Sequence, residues 1–237
     1  MIELLRQYWP NYLYSDGFNY SGLVITLWLL VVSIVLGFAL AVPLAIARAS
    51  RNPWISRPVW LYTYVFRGTP LYVQLLLCYT GLYSLHYVHT HELLGEFFRS
   101  AMNCTLLAFT LNECAYATEI FAGAIRETSY GEIEAALAYG MPKFKLYTRI
   151  ILPSALRRAL PAYSNEVILM LHATTLAFTA TVPDILKVAR DANSATYMTF
   201  QAYGIAAVLY ASIVFALIWA FRRMETRMLA YLKPQGH

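Results

Sequence analysis

The chain has 237 residues, of which 59% are hydrophobic and only 13% charged. It is too apolar for an ordinary soluble domain and belongs to the membrane class. Its formal charge of +5 is no argument for nucleic acid, because most of the basic residues lie in short stretches beside apolar runs, where they set membrane orientation.

A helix needs about 20 largely apolar residues to cross the hydrocarbon core. Five segments reach or approach that length, at about 20–47, 59–85, 101–125, 161–182 and 202–221. The first is preceded by Glu3, Arg6 and Asp16 rather than a basic leader, and its apolar run is too long for a signal peptide. With Arg48 and Arg51 directly after it, it reads as a retained span. The second is interrupted by "RGTP", Arg67–Pro70. The loop after it contains "HYVHTH" and reads as a flexible polar loop. Its His86, His89 and His91 lack a companion Cys or His cluster, so no metal site is expected there. The third span carries Glu113 and Glu119, and the fourth carries Glu166. Cys78, Cys104 and Cys114 fall in or beside apolar runs with no CxxC pair, and read as small buried apolar residues. Trp28, Trp54, Trp60 and Trp219 stand near span ends as interface anchors. No tandem repeat or low-complexity tract divides the chain, so residues 1–237 read as one membrane domain.

The loops differ in charge. Arg48, Arg51 and Arg57 lie in the first, six Lys or Arg between 126 and 158 lie in the third, and Arg222, Arg223, Arg227 and Lys233 lie in the tail. The opposite side has only Arg6, Arg99, Lys187 and Arg190. By the positive-inside rule the N-terminus is outside, the C-terminus is inside, and the third loop is cytoplasmic.

That third loop forms a compact module over about 127–158, centred on "SYGEIEAALAYGMPKFKLYTRIILP", Ser129–Pro153. Ser129 and Glu132 make an S-x-x-E capping box. Glu132 and Glu134 sit in the first turns, where acids favour the helix dipole. Ala135, Ala136 and Ala138 are strong helix formers of little bulk. Gly140 is placed for a C-terminal cap, and Pro142 for the start of a second helix that carries Lys143, Lys145 and Arg149 and meets Pro153. Such a helix suits close docking into a groove on another protein. A helix lying on the membrane surface would have the same pattern.

The spacing Glu134-Ala135-Ala136, three residues, Gly140, nine residues, Ile150, one residue, Leu152-Pro153 resembles the EAA motif of ABC importer membrane subunits. "FRGTPLYVQ" (Phe66–Gln74), "AYATEIFAGAI" (Ala115–Ile125) and "NEVILMLHATTLAF" (Asn165–Phe178) resemble the polar amino acid permease branch, and within it the M-type membrane subunits of histidine and lysine–arginine–ornithine importers. The resemblance covers nearly the whole chain. It implies an all-α, five-helix bundle of the type I importer permease fold in the bacterial inner membrane. Glu134, Ala135, Ala136, Gly140 and Pro153 would then belong to the coupling helix that docks on an ATPase. The implied partners are a homologous permease, two ATP-binding subunits and a periplasmic binding protein. ATP and Mg²⁺ would be bound by the ATPase, and this chain would need no cofactor. Many relatives carry Lys where this chain has His172, a departure that suits a positively charged substrate.

The sequence has no G-x-x-x-x-G-K-[ST], H-E-x-x-H or G-x-S-x-G, which fits a non-catalytic subunit driven by another chain. Charges within spans are functional candidates by default. Arg67, Glu113, Glu119 and Glu166 give one cation against three acids, and His172 adds a titratable group. Glu166 is expected to receive the cationic group of a basic amino acid. Arg67, or nearby amides and hydroxyls, would meet the carboxylate. Met170 lies one turn beyond Glu166, and Asn165, Thr174 and Thr175 add hydrogen-bonding groups. The plainer alternative pairs Arg67 with Glu119 or Glu166 as a helix tie. Glu113, near mid-span, is expected to face a partner subunit. A secondary transporter or cation channel with a relay of Glu113, Glu119 and Glu166 is the competing class; the capped module and the lack of an inverted repeat argue against it. An intramembrane enzyme would need a nucleophile–base pair that the spans lack.

Overall fold

All five apolar stretches are helical, and additional helices cap the bundle outside them. The computed structural model describes residues 2–15 and 17–229, with side chains from residue 6 onward, so Asp16 and Lys233 lie outside the described residues. In chain order, α1 (Ile2–Leu13) leads into α2 (Leu23–Arg48), and α3 (Pro53–Gly68) is separated from α4 (Leu71–Leu76) at the "RGTP" break. A π turn, Leu77–Gly81, leads through the short α5 (Leu82–Ser84), α6 (His86–Thr90) and α7 (Glu92–Arg99) to α8 (Ala101–Arg126). Then come α9 (Tyr130–Ala138), α10 (Lys143–Leu146), a second π turn at Tyr147–Ile151, and α11 (Leu152–Ala173) with a 3₁₀ extension, Thr174–Ala180. The chain closes with α12 (Ile185–Thr196) and α13 (Thr199–Met228).

Among these, α2 and α13 are long and apolar enough to cross a bilayer as single helices. α8 and α11 have the length but carry more polar side chains, and the second expected span is broken.

Small residues set the packing. α2 buries Ile25, Leu29, Ser33, Gly37, Ala41 and Ala45, one residue in every four, and turns Leu27, Trp28, Val31 and Val35 outward. The small half of that stripe meets Cys114, Ala117, Phe121 and Ala122 of α8, so the two backbones approach closely. α8 also packs on α3, α4 and α11 and is the central helix. Phe38, Phe121 and Tyr163 lock α2, α8 and α11 together with ring centroids 5.1–5.7 Å apart.

Two expectations are corrected here. The helix carrying the fourth apolar stretch does not begin near 161 but runs without interruption from Lys143. The π turn before Pro153 absorbs the proline, whose missing N–H would otherwise break the ladder. The "HYVHTH" segment is helical rather than a flexible polar loop. Its turns are held by ring contacts of His89 with Tyr83 (5.1 Å) and of His91 with Tyr87 (5.9 Å).

α1 and α12 were not expected, yet α12 has a plain signature. Asp184 caps it, accepting from Leu186 N and Lys187 N, and Ile185, Val188, Ala189 and Ala192 form its buried i, i+3, i+4, i+7 stripe. Around this cap the end opposite the module is drawn together. Tyr210 donates to Asp184 at 3.1 Å, Ile185 N donates to Thr26 Oγ1 at 3.2 Å, and Gly22 N donates to Pro183 O at 2.8 Å. Tyr12 of α1 donates to Ala202 O of α13 at 3.0 Å.

Candidate functional site

The break in the second span is built by polar side chains that catch freed backbone groups. α3 ends at Gly68, Thr69 is extended (φ −112°, ψ 143°), and Pro70 precedes α4. Phe66 O then lacks a helical donor. It accepts from Gln74 Nε2 at 2.7 Å and from Asn112 Nδ2 of α8 at 3.2 Å. Asn112 Nδ2 also donates to Gln74 Oε1 at 3.1 Å. Gln74 Nε2 is within reach of Thr69 O and Thr69 Oγ1 as well, so its two protons have three acceptors. Irregular backbone at membrane depth is stable only where buried groups satisfy it in this way. Gln74 and Asn112 carry no charge and so do not stand out among the ionisable residues of the spans, although amides inside apolar runs are the available signal.

The three acids of the expected spans have different surroundings. Glu119 Oε1 accepts from Arg48 Nε at 2.7 Å and from Thr63 Oγ1 at 2.7 Å. Arg48, expected only as a loop cation, is therefore its partner, and the alternative pairing of Arg67 with Glu119 is not formed. Arg67 instead lies exposed at the end of α3, its guanidinium 5.2 Å from the Tyr116 ring centroid. It remains within electrostatic reach of Glu119 and Glu166 without pairing to either. Glu113 does not face outward to a partner. It is fully buried against α2, where a Cβ added at Gly37 would lie 2.6 Å from its Cγ, and neither carboxylate oxygen has a hydrogen-bond partner among the described residues.

Glu166, on α11, is buried and makes no hydrogen bond or ion pair with any described residue. Met170 follows one turn along the same buried face. Asn165 and His172 are exposed with Leu169 on a different face of the helix, so Asn165 is not brought beside Glu166. Thr174 and Thr175 donate their hydroxyl protons to Leu171 O (2.7 Å) and His172 O (2.6 Å), which leaves only their lone pairs for a further partner.

In the module, Gly140 has φ +72°, and Gly140 N and Met141 N donate to Leu137 O (2.9 Å) and Ala136 O (3.1 Å). This is a Schellman cap and the one position in the module that needs a glycine. Ser129 stands at the N-cap, but its hydroxyl makes no capping bond. The capping box is thus absent as a side-chain bond; Ser129 supplies its carbonyl to Ile133 N at 3.4 Å instead. Glu134, Ala135 and Gly140 are exposed, whereas Ala136 is packed into the core and Pro153 lies in the first turn of α11. Tyr130, Leu137, Tyr139 and Phe144 are also exposed, an apolar surface on a basic module.

Residues 33–230 match the family of binding-protein-dependent transport system inner membrane components. The chain belongs to this family. It is 63% identical over 236 residues, covering all of this chain and 99% of the relative, to the histidine/lysine/arginine/ornithine transport system permease protein HisM of Escherichia coli K12. It is 40% identical over 205 residues, 86% of this chain and 83% of the relative, to the octopine transport system permease protein OccM of Rhizobium radiobacter. Among solved structures it is similar to an amino acid ABC transporter crystallised with histidines, with TM-score 0.78, 29% identity, and coverage of 94% of this chain and 96% of that one. The MetNI methionine transporter, at 17% identity and TM-score 0.72, covering 96% of this chain and 97% of that one, shares the fold. The chain is accordingly a permease subunit of an ABC importer, a membrane component that is not itself catalytic.

Proposed function

We propose that this permease moves basic amino acids, in the class of histidine, lysine, arginine and ornithine, inward across the bacterial inner membrane. The reading rests on the full-length similarity to HisM together with one feature of the bundle: of three acids within the spans, Glu166 alone is neither ion-paired nor sealed between helices. Glu166 meets the substrate's cationic group, with Met170 beside it, and Arg67 is the cation nearest in reach for the α-carboxylate. Thr174 and Thr175 supply acceptors along the same stretch, whereas Asn165 stands on another face of the helix. The exposed, apolar α9–α10 module docks on an ATPase that binds ATP and Mg²⁺. A homologous permease covers the outward faces of this subunit as its heterodimer partner, and a periplasmic binding protein delivers substrate.

The loop charges support five spans with the N-terminus outside. A cytoplasm-dependent reporter fused after His237 is expected to be active, and activity of a periplasm-dependent reporter there would contradict that orientation. The substrate reading is tested by purifying the assembled complex and identifying its bound ligand by mass spectrometry. A cationic amino acid is expected, and a neutral or acidic one would overturn the reading.

A further inference from the structure

The coupling module is entered from α8 and left through α10 into α11, and one side chain at its far end ties these two flanks together. Arg158 of α11 donates from Nη2 to Ala124 O, in the last turn of α8, at 3.0 Å. The same Nη2 donates to Thr128 Oγ1, at the entrance to α9, at 2.9 Å. Nη1 donates to Ser154 Oγ, one turn back on α11. Thr128 is 5% exposed, so this is an interior contact rather than a surface ion pair.

Neighbouring arginines extend the tie. Arg126 Nη2 donates to Arg48 O at 2.9 Å, and Arg48 holds Glu119. The cytoplasmic ends of α2, α8 and α11 are thereby joined through planar, multi-donor guanidinium groups.

The backbone alone would let α9 move with little consequence. Its connections to α8 and α10 are short non-helical links that can absorb a displacement by changing φ and ψ. With Arg158 bridging Thr128, Ala124 and α11, a push on the module has no slack to spend between its two flanks. We propose that Arg158 is a positioning residue of the coupling step: it passes a movement of the module's entrance at Thr128 to α8 and α11, which carry Glu113, Glu119 and Glu166. This rests on the reading that the module docks on an ATPase.

The test uses the complete complex with its ATPase and binding protein, reconstituted in liposomes, and reads substrate taken up per ATP hydrolysed. Arg158→Gln removes the charged fork and is expected to lower that ratio about tenfold, the scale of one lost charge-assisted hydrogen bond, while ATP hydrolysis continues. Arg158→Lys should restore part of it. Thr128→Val, which removes a single acceptor at nearly constant volume, should give a smaller fall in the same direction. A merely structural brace would lower the yield of complex and leave the ratio of the surviving complex unchanged, and that result overturns the inference. If Arg158→Gln does not assemble, Thr128→Val decides, and an unchanged ratio there also overturns it. Gly140→Val, which spoils the left-handed cap within the module, separates the two levels. If it uncouples while an assembled Arg158→Gln does not, the inference fails and the docking reading stands. If neither uncouples, both fail.

Discussion

The two ends of the bundle are held by different kinds of contact. At the end bearing Asp184 the ties are short and buried: Gly22 N to Pro183 O, Ile185 N to Thr26, Tyr210 to Asp184 and Tyr12 to Ala202. At the module end they run through arginines: Arg48 to Glu119, Arg126 to the α2 carboxyl end, and Arg158 across the module's flanks. Short contacts fix backbone spacing and leave no play, so damage to them should appear as lost fold. The arginine ties bridge separate helix ends through charge-assisted hydrogen bonds, so damage to them should appear in coupling, or as a stability loss that a second change can repair. The end bearing the module is the end held by arginine side chains.

The largest effect is expected at Gly22. It has φ +59°, and a Cβ there would lie 2.1 Å from Tyr12 O. Gly22→Val should cost at least about 3 kcal/mol through strain and overpacking together. The yield of assembled complex should collapse; near-normal yield and melting temperature would break the comparison.

Next is the ion pair at the other end. Both partners are less than one-fifth exposed, at 19% and 17%. Arg48→Met should cost about 2–3 kcal/mol because it strands the Glu119 carboxylate. Adding Glu119→Gln should recover part of that loss, since the stranded charge is then gone. A double-mutant cycle on thermal stability measures the recovery, and strictly additive losses would contradict the pairing.

The smallest effect is expected at Ser129. A side-chain N-cap is worth roughly 1 kcal/mol. Because the Ser129 hydroxyl makes no capping bond here, Ser129→Ala should change stability by well under that. A full loss of about 1 kcal/mol would restore the capping box.

The sequence made the helices legible where pattern is strong. Five apolar runs, the "RGTP" break and the Gly140 cap are local features, and each appears where its residues stand. Long-range pairing was not legible. Arg48 counted as a loop cation because it follows an apolar run, and only the close α2–α8 packing, made possible by Gly37, Ala41 and Ala45, brings it to Glu119, 71 positions away. Glu113 was expected to face outward because one-dimensional order does not say which side of a nearly all-buried helix is covered. Pro153 and Pro161 suggested helix boundaries, but a π turn and a continuous α11 accommodate them. α12 was passed over because its stripe is short and partly alanine, though Asp184 and the i, i+3, i+4, i+7 spacing were there to be read.

The central claim is that Glu166 reads the positive charge of the substrate. The direct measurement is uptake by the assembled complex carrying Glu166→Gln, comparing lysine or arginine with a neutral amino acid and normalising to complex yield. The variant keeps the shape and some hydrogen bonding but removes the charge. Transport of the basic substrate should fall about ten- to hundredfold, as expected for losing a hydrogen bond to a charged group, while the neutral substrate suffers less and the complex still assembles. An equal loss for both substrates, or a loss explained by reduced assembly, would contradict a charge-reading role for Glu166.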